Sequence, residues 1–225
     1  YKAVSFQPDS KTVFEKSGTW WGGDTSAQTI EFDFFSDENA RFLAQKNGTI
    51  DIATQLPIDQ VSQFQGINGV SVLTESDRSY VGLTFDQNIE PFDDIHVRKA
   101  IAHAVDKAAV VAALGGELGA QAASTYITPG IPGRQNYDLY PHDAAKAKEL
   151  LTGKTVPALV LLTDNGAASK AMAEAVGQSL KEVGLKVTIE PVEPDTFTER
   201  ATKGDGSTYD LAIANWNPDY PSANA

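Results

Sequence analysis

The last part of the chain alternates between strand-like and helix-like patterns, and this alternation constrains the fold more than any other feature. Apolar residues run together or alternate in the strand-like segments, and they recur at helical spacing in a longer run that ends at Gly184. The pattern predicts strands at residues 158–162, 185–189 and 210–215, separated by helices at 167–183 and 196–202. Because strands joined by helices pair in parallel through right-handed crossovers, we predict an α/β domain here.

Shorter elements are indicated in the first part of the chain. Pro8 and Ser10 supply turn chemistry between the first two strand-like runs, which predicts a hairpin. Ser36 and Asp37 can cap a helix that runs through Lys46 and ends at Gly48. The pattern predicts strands at residues 4–6, 12–14, 29–35, 50–54, 70–73 and 80–85, and a small helix at 58–64.

The sequence changes in character after Asp86, where Pro91 and an acidic pair precede an alanine-rich stretch. Apolar residues at helical spacing predict one long helix through Ala108. We therefore place a lobe boundary near Asp86, with residues 1–86 in a first lobe, a mixed sheet with short helices, and residues 87–225 in an α/β second lobe. Asp143 is predicted to cap a short helix whose inward-facing residues are Ala147, Leu150 and Leu151.

Charge and composition exclude several kinds of protein. The formal net charge is -12 and the sequence pI is about 4.6, and the chain lacks the basic clusters that phosphate backbones require, so we expect no nucleic-acid partner. The absence of cysteine excludes thiol nucleophiles, disulfides and cysteine-ligated metals. No apolar run approaches the roughly 20 residues that a membrane-spanning helix needs.

Motifs typical of enzymes and of metal or cofactor sites fail on their spacing. Gly153-Lys154-Thr155 lacks the upstream glycine of a phosphate-binding loop, and residues 115–119 lack the glycine spacing of a dinucleotide fingerprint. The histidines His96, His103 and His142 form no zinc-ligand pair, and the sequence contains no nucleophile elbow. We therefore predict no catalytic residues, no metal and no cofactor.

The segment Asn215-Trp216-Asn217-Pro218-Asp219-Tyr220 is the strongest candidate for a functional site. It follows the last predicted strand, and open α/β sheets bind ligands beyond the carboxyl ends of their strands. Trp216 and Tyr220 offer apolar ring surfaces, and Asp219 offers a carboxylate for a cationic group. The same residues also suit a structural role, with Asp219 capping a turn beside Pro218 and Trp216 in the core. Both interpretations stay open from these residues alone.

A series of segments along the chain carries a more specific pattern. It begins with Pro91-Phe92-Asp93-Asp94-Ile95-His96-Val97-Arg98-Lys99-Ala100-Ile101 and Ala104-Val105-Asp106-Lys107, and it continues in order through residues 129–133 and 140–151. The series closely resembles the hallmark segments of the family 5 extracellular solute-binding proteins, the dipeptide- and oligopeptide-type receptors of ABC importers. Trp20-Trp21-Gly22-Gly23 and Tyr209-Asp210-Leu211 resemble further parts of this family. The resemblance implies an α/β fold like that of the type II periplasmic binding proteins, two-lobed, with mixed sheets flanked by helices.

The resemblance also implies which residues face the ligand. In peptide-binding members, a carboxylate after the tryptophan of this loop pairs with the amino terminus of the ligand, and Asp219 and Trp216 stand at the matching positions. Asn215 and Asn217 would lend backbone groups to the main chain of the ligand. The match extends to a first-lobe stretch that faces the cleft in some members, and its residues here are Thr54 and Gln55.

The function implied by the resemblance is that of a substrate-binding component of an ABC transporter, which takes a peptide or another amine-bearing solute into an interlobe cleft without catalysis. The implied partners are this ligand and a membrane permease. We expect a monomer outside the cytoplasm, in the periplasm or at the cell surface and lipid-anchored through an upstream N-terminus. Nickel chelates, glutathione, opines and oligosaccharides, which other members carry, stay alternative ligands; a carboxylate-dependent hydrolase and a surface sensor stay alternative functions.

The family pattern also predicts that this chain is part of a longer protein. In the family, the first lobe begins upstream of the stretch that matches Tyr1, and the chain returns to that lobe after the stretch that matches Ala225. We therefore expect parts of the first lobe to lie outside these 225 residues.

Overall fold

The chain forms two compact units, Tyr1–Val72 and Leu73–Ala225. The structure is a computed structural model. It describes residues 1–18, 20–54, 56, 58–73, 78–203 and 209–219.

The first unit contains a three-stranded antiparallel sheet with two chemically different faces. Its strands are β1 (Lys2–Gln7), β2 (Lys11–Glu15) and β3 (Thr29–Asp33), in that order. Phe14 and Phe32 contact each other on one face, with ring centroids 5.7 Å apart, whereas Lys11 pairs with Glu31 and Asp33 on the other. The predicted hairpin is confirmed, and the described strands of this unit pair antiparallel. A mixed sheet in the first lobe of the whole protein stays a prediction.

Two helices of the first unit begin and end close to the predicted residues. Helix α1 (Glu38–Lys46) is capped by Asp37, whose side chain accepts a hydrogen bond from the Ala40 amide, and Gly48 follows with a φ of 69°. Helix α2 (Ile58–Val61) continues into a 3₁₀ turn at Ser62–Phe64. The two elements meet through the buried rings of Phe42 and Phe64, 5.2 Å apart.

Two strand predictions in this region are wrong. Residues 50–54 and 70–73 form no strand. Ile52 is 82% exposed and Leu73 is 93% exposed. A short alternating run becomes a strand when it finds a neighbouring strand and buries one face. Neither condition is met among the described residues, so these runs stay irregular.

The second unit is built on a four-stranded mixed sheet. Its strands are β4 (Tyr80–Thr84), β5 (Leu159–Asp164), β6 (Val187–Val192) and β7 (Leu211–Trp216), in the order β4-β7-β5-β6. Strand β5 pairs in parallel with both β6 and β7, as predicted, and β4 pairs antiparallel with β7. The sheet therefore brings the carboxyl ends of β5, β6 and β7 to one edge, which we call the carboxyl edge.

Helices pack against this sheet and close the core. They are α3 (Ile95–Ala104), α4 (Lys107–Ala113), α5 (Ala144–Leu151), α6 (Ala167–Glu182) and α7 (Pro194–Lys203). Leu159, Leu161 and Leu211 are fully buried in one cluster with Leu180 of α6. Of the residues predicted to face inward on α5, Ala147 is buried, whereas Leu150 and Leu151 are half-buried.

The single long helix predicted through Ala108 is instead two helices with a break at Val105 and Asp106. Val105 has an extended backbone, and the Asp106 side chain accepts hydrogen bonds from the amides of Ala108 and Ala109, which begins a new helix. The Asp106 amide donates to the Ser179 hydroxyl of α6. Apolar spacing alone predicts continuity, and a capping side chain inside the run overrides it.

Strand β4 belongs to the second unit, because β7 is its pairing partner among the described strands. The boundary between the two compact units falls between Val72 and Leu73, and it therefore lies earlier in the chain than the lobe boundary predicted near Asp86. The assignment of residues 1–86 and 87–225 to the lobes of a whole protein stays a prediction, because compact units of this chain and lobes of a longer protein are different divisions.

Candidate functional site

The candidate residues of the last strand emerge together at the carboxyl edge. Asn215 and Trp216 are the last two residues of β7, and Asn217 and Asp219 follow directly. All four are exposed, with Trp216 at 53%. Trp216 is thus not a core residue, and this part of the structural interpretation is wrong. The edge presents an indole ring and a carboxylate to solvent.

The two remaining candidates belong to the first unit, which is described by itself. Thr54 is exposed and lies in an irregular segment of the first unit. Gln55 lies outside the described residues. The prediction that both face a cleft stays a prediction.

The buried half of β7 holds its exposed end in place. Leu211, Ala212 and Ile213 are buried, and exposure begins after them. Asp210, just before the strand, accepts a hydrogen bond from the Val160 amide at 2.7 Å and donates its own amide to the Val160 carbonyl at 3.0 Å. This pair of bonds fastens the start of β7 to β5, so the strand projects its last residues at a fixed position.

Strand β7 leaves backbone groups available on one side near the carboxyl edge. It pairs with β4 as far as Trp216, which lies opposite Tyr80, whereas its register with β5 covers Leu211 and Ala212. Beyond Ala212, the β5 side of β7 has no strand pairing among the described residues. An extended ligand can use such unpaired backbone groups for main-chain hydrogen bonds.

Two aromatic residues that no sequence motif indicates lie beside Trp216. Tyr80 occupies the cross-strand position opposite Trp216, and its ring contacts Tyr126 in an edge-to-face arrangement with centroids 5.1 Å apart. Tyr126 is 75% exposed. The register between β4 and β7 and the return of a long irregular segment create this grouping, and no local spacing in the sequence signals it.

The segment that carries Tyr126 is fastened to the start of β4. The buried Thr128 hydroxyl donates to the Arg78 carbonyl at 2.6 Å. Gly130 lies against the Arg78 side chain, and a Cβ atom at Gly130 would be 3.4 Å from the Arg78 Nε. The loop therefore approaches Arg78 closely on the side of β4 that borders the carboxyl edge.

The loops after β5 and β6 are also joined at this edge. The Asp164 carboxylate accepts hydrogen bonds from the Gly166 amide at 2.8 Å and the Ser169 hydroxyl at 2.6 Å. The Asn165 side-chain amide donates to the Glu193 carboxylate at 2.6 Å. The edge thus carries the carboxylates of Asp164, Glu193 and Asp219. Asp164 already accepts hydrogen bonds within its own loop and orders it.

The described residues contain no cluster of three or more histidine or acidic side chains arranged to hold a metal ion. Among the same residues, no helix combines the length and the apolar character needed to cross a membrane.

The whole chain matches one protein family. The model for "Bacterial extracellular solute-binding proteins, family 5 Middle" matches residues 1–225. A curated relative, "Probable D,D-dipeptide-binding periplasmic protein DdpA" of Escherichia coli K12, is 28% identical over 223 residues, which cover 96% of this chain and 42% of the relative. The chain therefore spans less than half the length of this relative.

Solved structures show the same fold. The ABC transporter substrate-binding protein CtaP of Listeria monocytogenes superposes with a TM-score of 0.85 at 21% identity, over 96% of this chain and 45% of that one. The dipeptide-binding protein of Pseudoalteromonas sp. SM9913, in complex with Met-Leu, gives 0.82 at 20% identity, over 99% and 45%. The predicted α/β fold of the type II periplasmic binding proteins is confirmed. The chain belongs to the bacterial extracellular solute-binding proteins of family 5 and matches the middle region of that family.

Proposed function

We propose that the protein containing this chain is the substrate-binding component of an ABC importer and that it captures a peptide or another amine-bearing solute. The observation that carries the proposal is the position of Asp219. Its carboxylate is exposed at the carboxyl edge beside Trp216 and has no ion-pair partner among the residues that the structure describes. A ligand ammonium group would supply that partner through charge-assisted hydrogen bonds.

The surroundings of Asp219 suit a receptor that tolerates many side chains. The unpaired side of β7 near Asn215 and Asn217 supports main-chain contacts to a ligand, and these contacts do not depend on ligand sequence. Trp216, Tyr80 and Tyr126 offer ring surfaces against which apolar groups can pack. Contacts to one charged end and to the backbone of the ligand give affinity, and the side chains of the ligand contribute little to recognition.

The remaining parts of the proposal concern the whole protein. We expect it to work outside the cytoplasm, with a lipid anchor upstream of Tyr1, and to deliver ligand to a membrane permease as a monomer. A first-lobe wall that includes Thr54 and Gln55 would close over the ligand. Closure removes water from the Asp219 ion pair and strengthens it. The family consists of binding proteins, and we accordingly expect binding without turnover.

A thermal-shift screen of the complete protein tests the proposal. Peptides, glutathione, opines, oligosaccharides and nickel chelates form the panel, and a ligand at 100 times its dissociation constant adds about 2.7 kcal/mol to the free energy of unfolding. Stabilisation by peptides or other free amines is the expected result. Stabilisation by oligosaccharides alone contradicts the role of Asp219, and conversion of a stabilising peptide to products contradicts binding without turnover.

A further inference from the structure

Three asparagine residues of this chain precede a glycine, and they lie in different surroundings. They are Asn47, Asn68 and Asn165. An Asn-Gly pair is prone to deamidation, because glycine has no Cβ atom to obstruct its own backbone nitrogen from approaching the asparagine side chain. The reaction also requires that this nitrogen is not held in a hydrogen bond and that the chain can bend locally. The surroundings of each pair therefore decide which one reacts.

Two of the three pairs are held by hydrogen bonds. The Gly48 amide donates to a carbonyl of the last turn of α1 at 3.1 Å. The Gly166 amide donates to the Asp164 carboxylate at 2.8 Å. The Asn165 side-chain amide donates to the Glu193 carboxylate at 2.6 Å. In both pairs the attacking nitrogen already has an acceptor, and at Asn165 the side chain that would react is held as well.

The third pair, Asn68 and Gly69, occupies the centre of an exposed turn. The Val70 amide donates to the Ile67 carbonyl at 3.2 Å, and Gly69 has a φ of 80°, as a type II turn requires. Among the residues that the structure describes, neither the Asn68 side chain nor the Gly69 amide has a hydrogen-bond partner. The attacking nitrogen of this pair is thus unoccupied, unlike those of the other two.

We propose that Asn68 is the one of these three residues that deamidates in the folded protein, and that the fold protects Asn47 and Asn165. The Gly69 backbone nitrogen loses its proton and forms a bond to Asn68 Cγ. The bond between Cγ and the side-chain nitrogen breaks, and this nitrogen leaves as ammonia. Water then opens the cyclic imide at either carbonyl, which gives aspartate or isoaspartate. Water is the only co-reactant, and no oxidant or reductant is needed.

Either product changes the turn. Both replace a neutral amide with a carboxylate, which adds negative charge to a chain whose formal net charge is already -12. Isoaspartate also inserts an additional carbon into the backbone, so the hydrogen bond between Val70 and Ile67 cannot keep its geometry. The turn lies directly before Val72, the last residue of the first unit, and the modification therefore alters the end of that unit.

Peptide mapping of the complete protein tests the proposal. The protein is incubated above neutral pH, where backbone amides lose a proton more readily, and mass spectrometry follows the conversion of each amide to a carboxylate. Cleavage after Phe64 places Asn47 and Asn68 in different peptides. We expect Asn68 to react at least about fivefold faster than Asn47 or Asn165, because each of those pairs must first break a hydrogen bond.

Controls separate the effect of the fold from that of local sequence. In urea the hydrogen bonds are lost, so the three residues should react at similar rates. Asp164→Ala removes the acceptor of the Gly166 amide and should raise the rate at Asn165 without changing the rate at Asn47. Asp164→Asn keeps an acceptor oxygen and should leave the rate at Asn165 low.

The outcomes that overturn the proposal are distinct. One is modification of Asn47 or Asn165 as fast as that of Asn68 in the folded protein. Another is an Asn68 that reacts in urea but not in the folded protein. A preference for Asn68 that persists unchanged in urea would assign it to local sequence, and it would remove the protective role of the fold. The proposed receptor function does not depend on any of these results.

Discussion

The carboxylates of Asp94 and Asp219 have different roles because their surroundings differ. Asp94 caps α3 by accepting a hydrogen bond from the His96 amide at 2.8 Å, and its other oxygen pairs with the Lys154 ammonium at 2.6 Å. The Lys154 hydrogen bond, followed by the His96 amide, holds the pKa of Asp94 well below its ordinary value of 3.8. Asp94 is thus committed to structure, whereas Asp219 is exposed for a partner from outside.

The depressed pKa of Asp94 makes a pH-dependent contribution to stability. The ionised form is favoured in the folded state, so the contribution is present above the unfolded pKa near 3.8 and is lost as pH falls toward the lower folded pKa. We expect Asp94→Asn to lower the unfolding temperature at pH 7 and the difference from wild type to shrink below about pH 4. Lys154→Gln should reproduce part of this loss. A difference that is the same at pH 3 and pH 7 would contradict the assignment.

At the scale of elements, the hydrogen bonds of Asp210 connect the fold to the site. Replacing Asp210 with alanine leaves the Val160 amide without its acceptor, and we expect the free energy of unfolding to fall by about 1–3 kcal/mol. Asp210→Asn keeps an acceptor oxygen, so its free energy of unfolding should fall by less than that of the alanine variant. Urea denaturation measures both variants, and equal losses for asparagine and alanine would show that the hydrogen bond is not what matters.

The elements that could be predicted from sequence are those whose signal is local. Gly184 after an amphipathic stripe marks the end of α6 to within two residues, and the capping aspartates Asp37 and Asp143 mark the starts of α1 and α5. The predicted strand at residues 70–73 failed because a strand depends on a distant neighbour. The prediction of one continuous helix failed at Asp106, because one capping side chain outweighs a continuous apolar stripe.

The candidate site divides in the same way. The placement of Trp216 and Asp219 at the carboxyl edge could be predicted, because they end or follow a recognisable strand of a parallel unit. Their role in ligand binding, which the family motif implies, stays a prediction. The placement of Tyr80 and Tyr126 could not be predicted, since it depends on the register of β4 with β7 and on the path of an irregular segment. The positive φ of Arg78 could not be predicted either, because arginine rarely adopts this backbone conformation.

At the scale of the whole molecule, the core of the second unit supports the carboxyl edge. Leu161 is fully buried on β5 and lies opposite Leu211 of β7 in the parallel register. Leu161→Ala should lower the free energy of unfolding by about 2–5 kcal/mol, because it removes buried methyl groups and leaves a cavity. The matched change Leu139→Ala, at a leucine that is 65% exposed, should have little effect in the same denaturation experiment. Similar losses for the two variants would contradict the assigned core.

The most direct test of the proposed receptor compares wild type and Asp219→Asn of the complete protein in calorimetric titrations with Met-Leu and N-acetyl-Met-Leu. If the Asp219 carboxylate holds the ligand amine, the wild type binds Met-Leu at least about tenfold more tightly than the acetylated form, and Asp219→Asn binds the two with similar, weak affinity. An Asp219→Asn variant that keeps the wild-type affinity and the wild-type preference for the free amine would contradict the proposal.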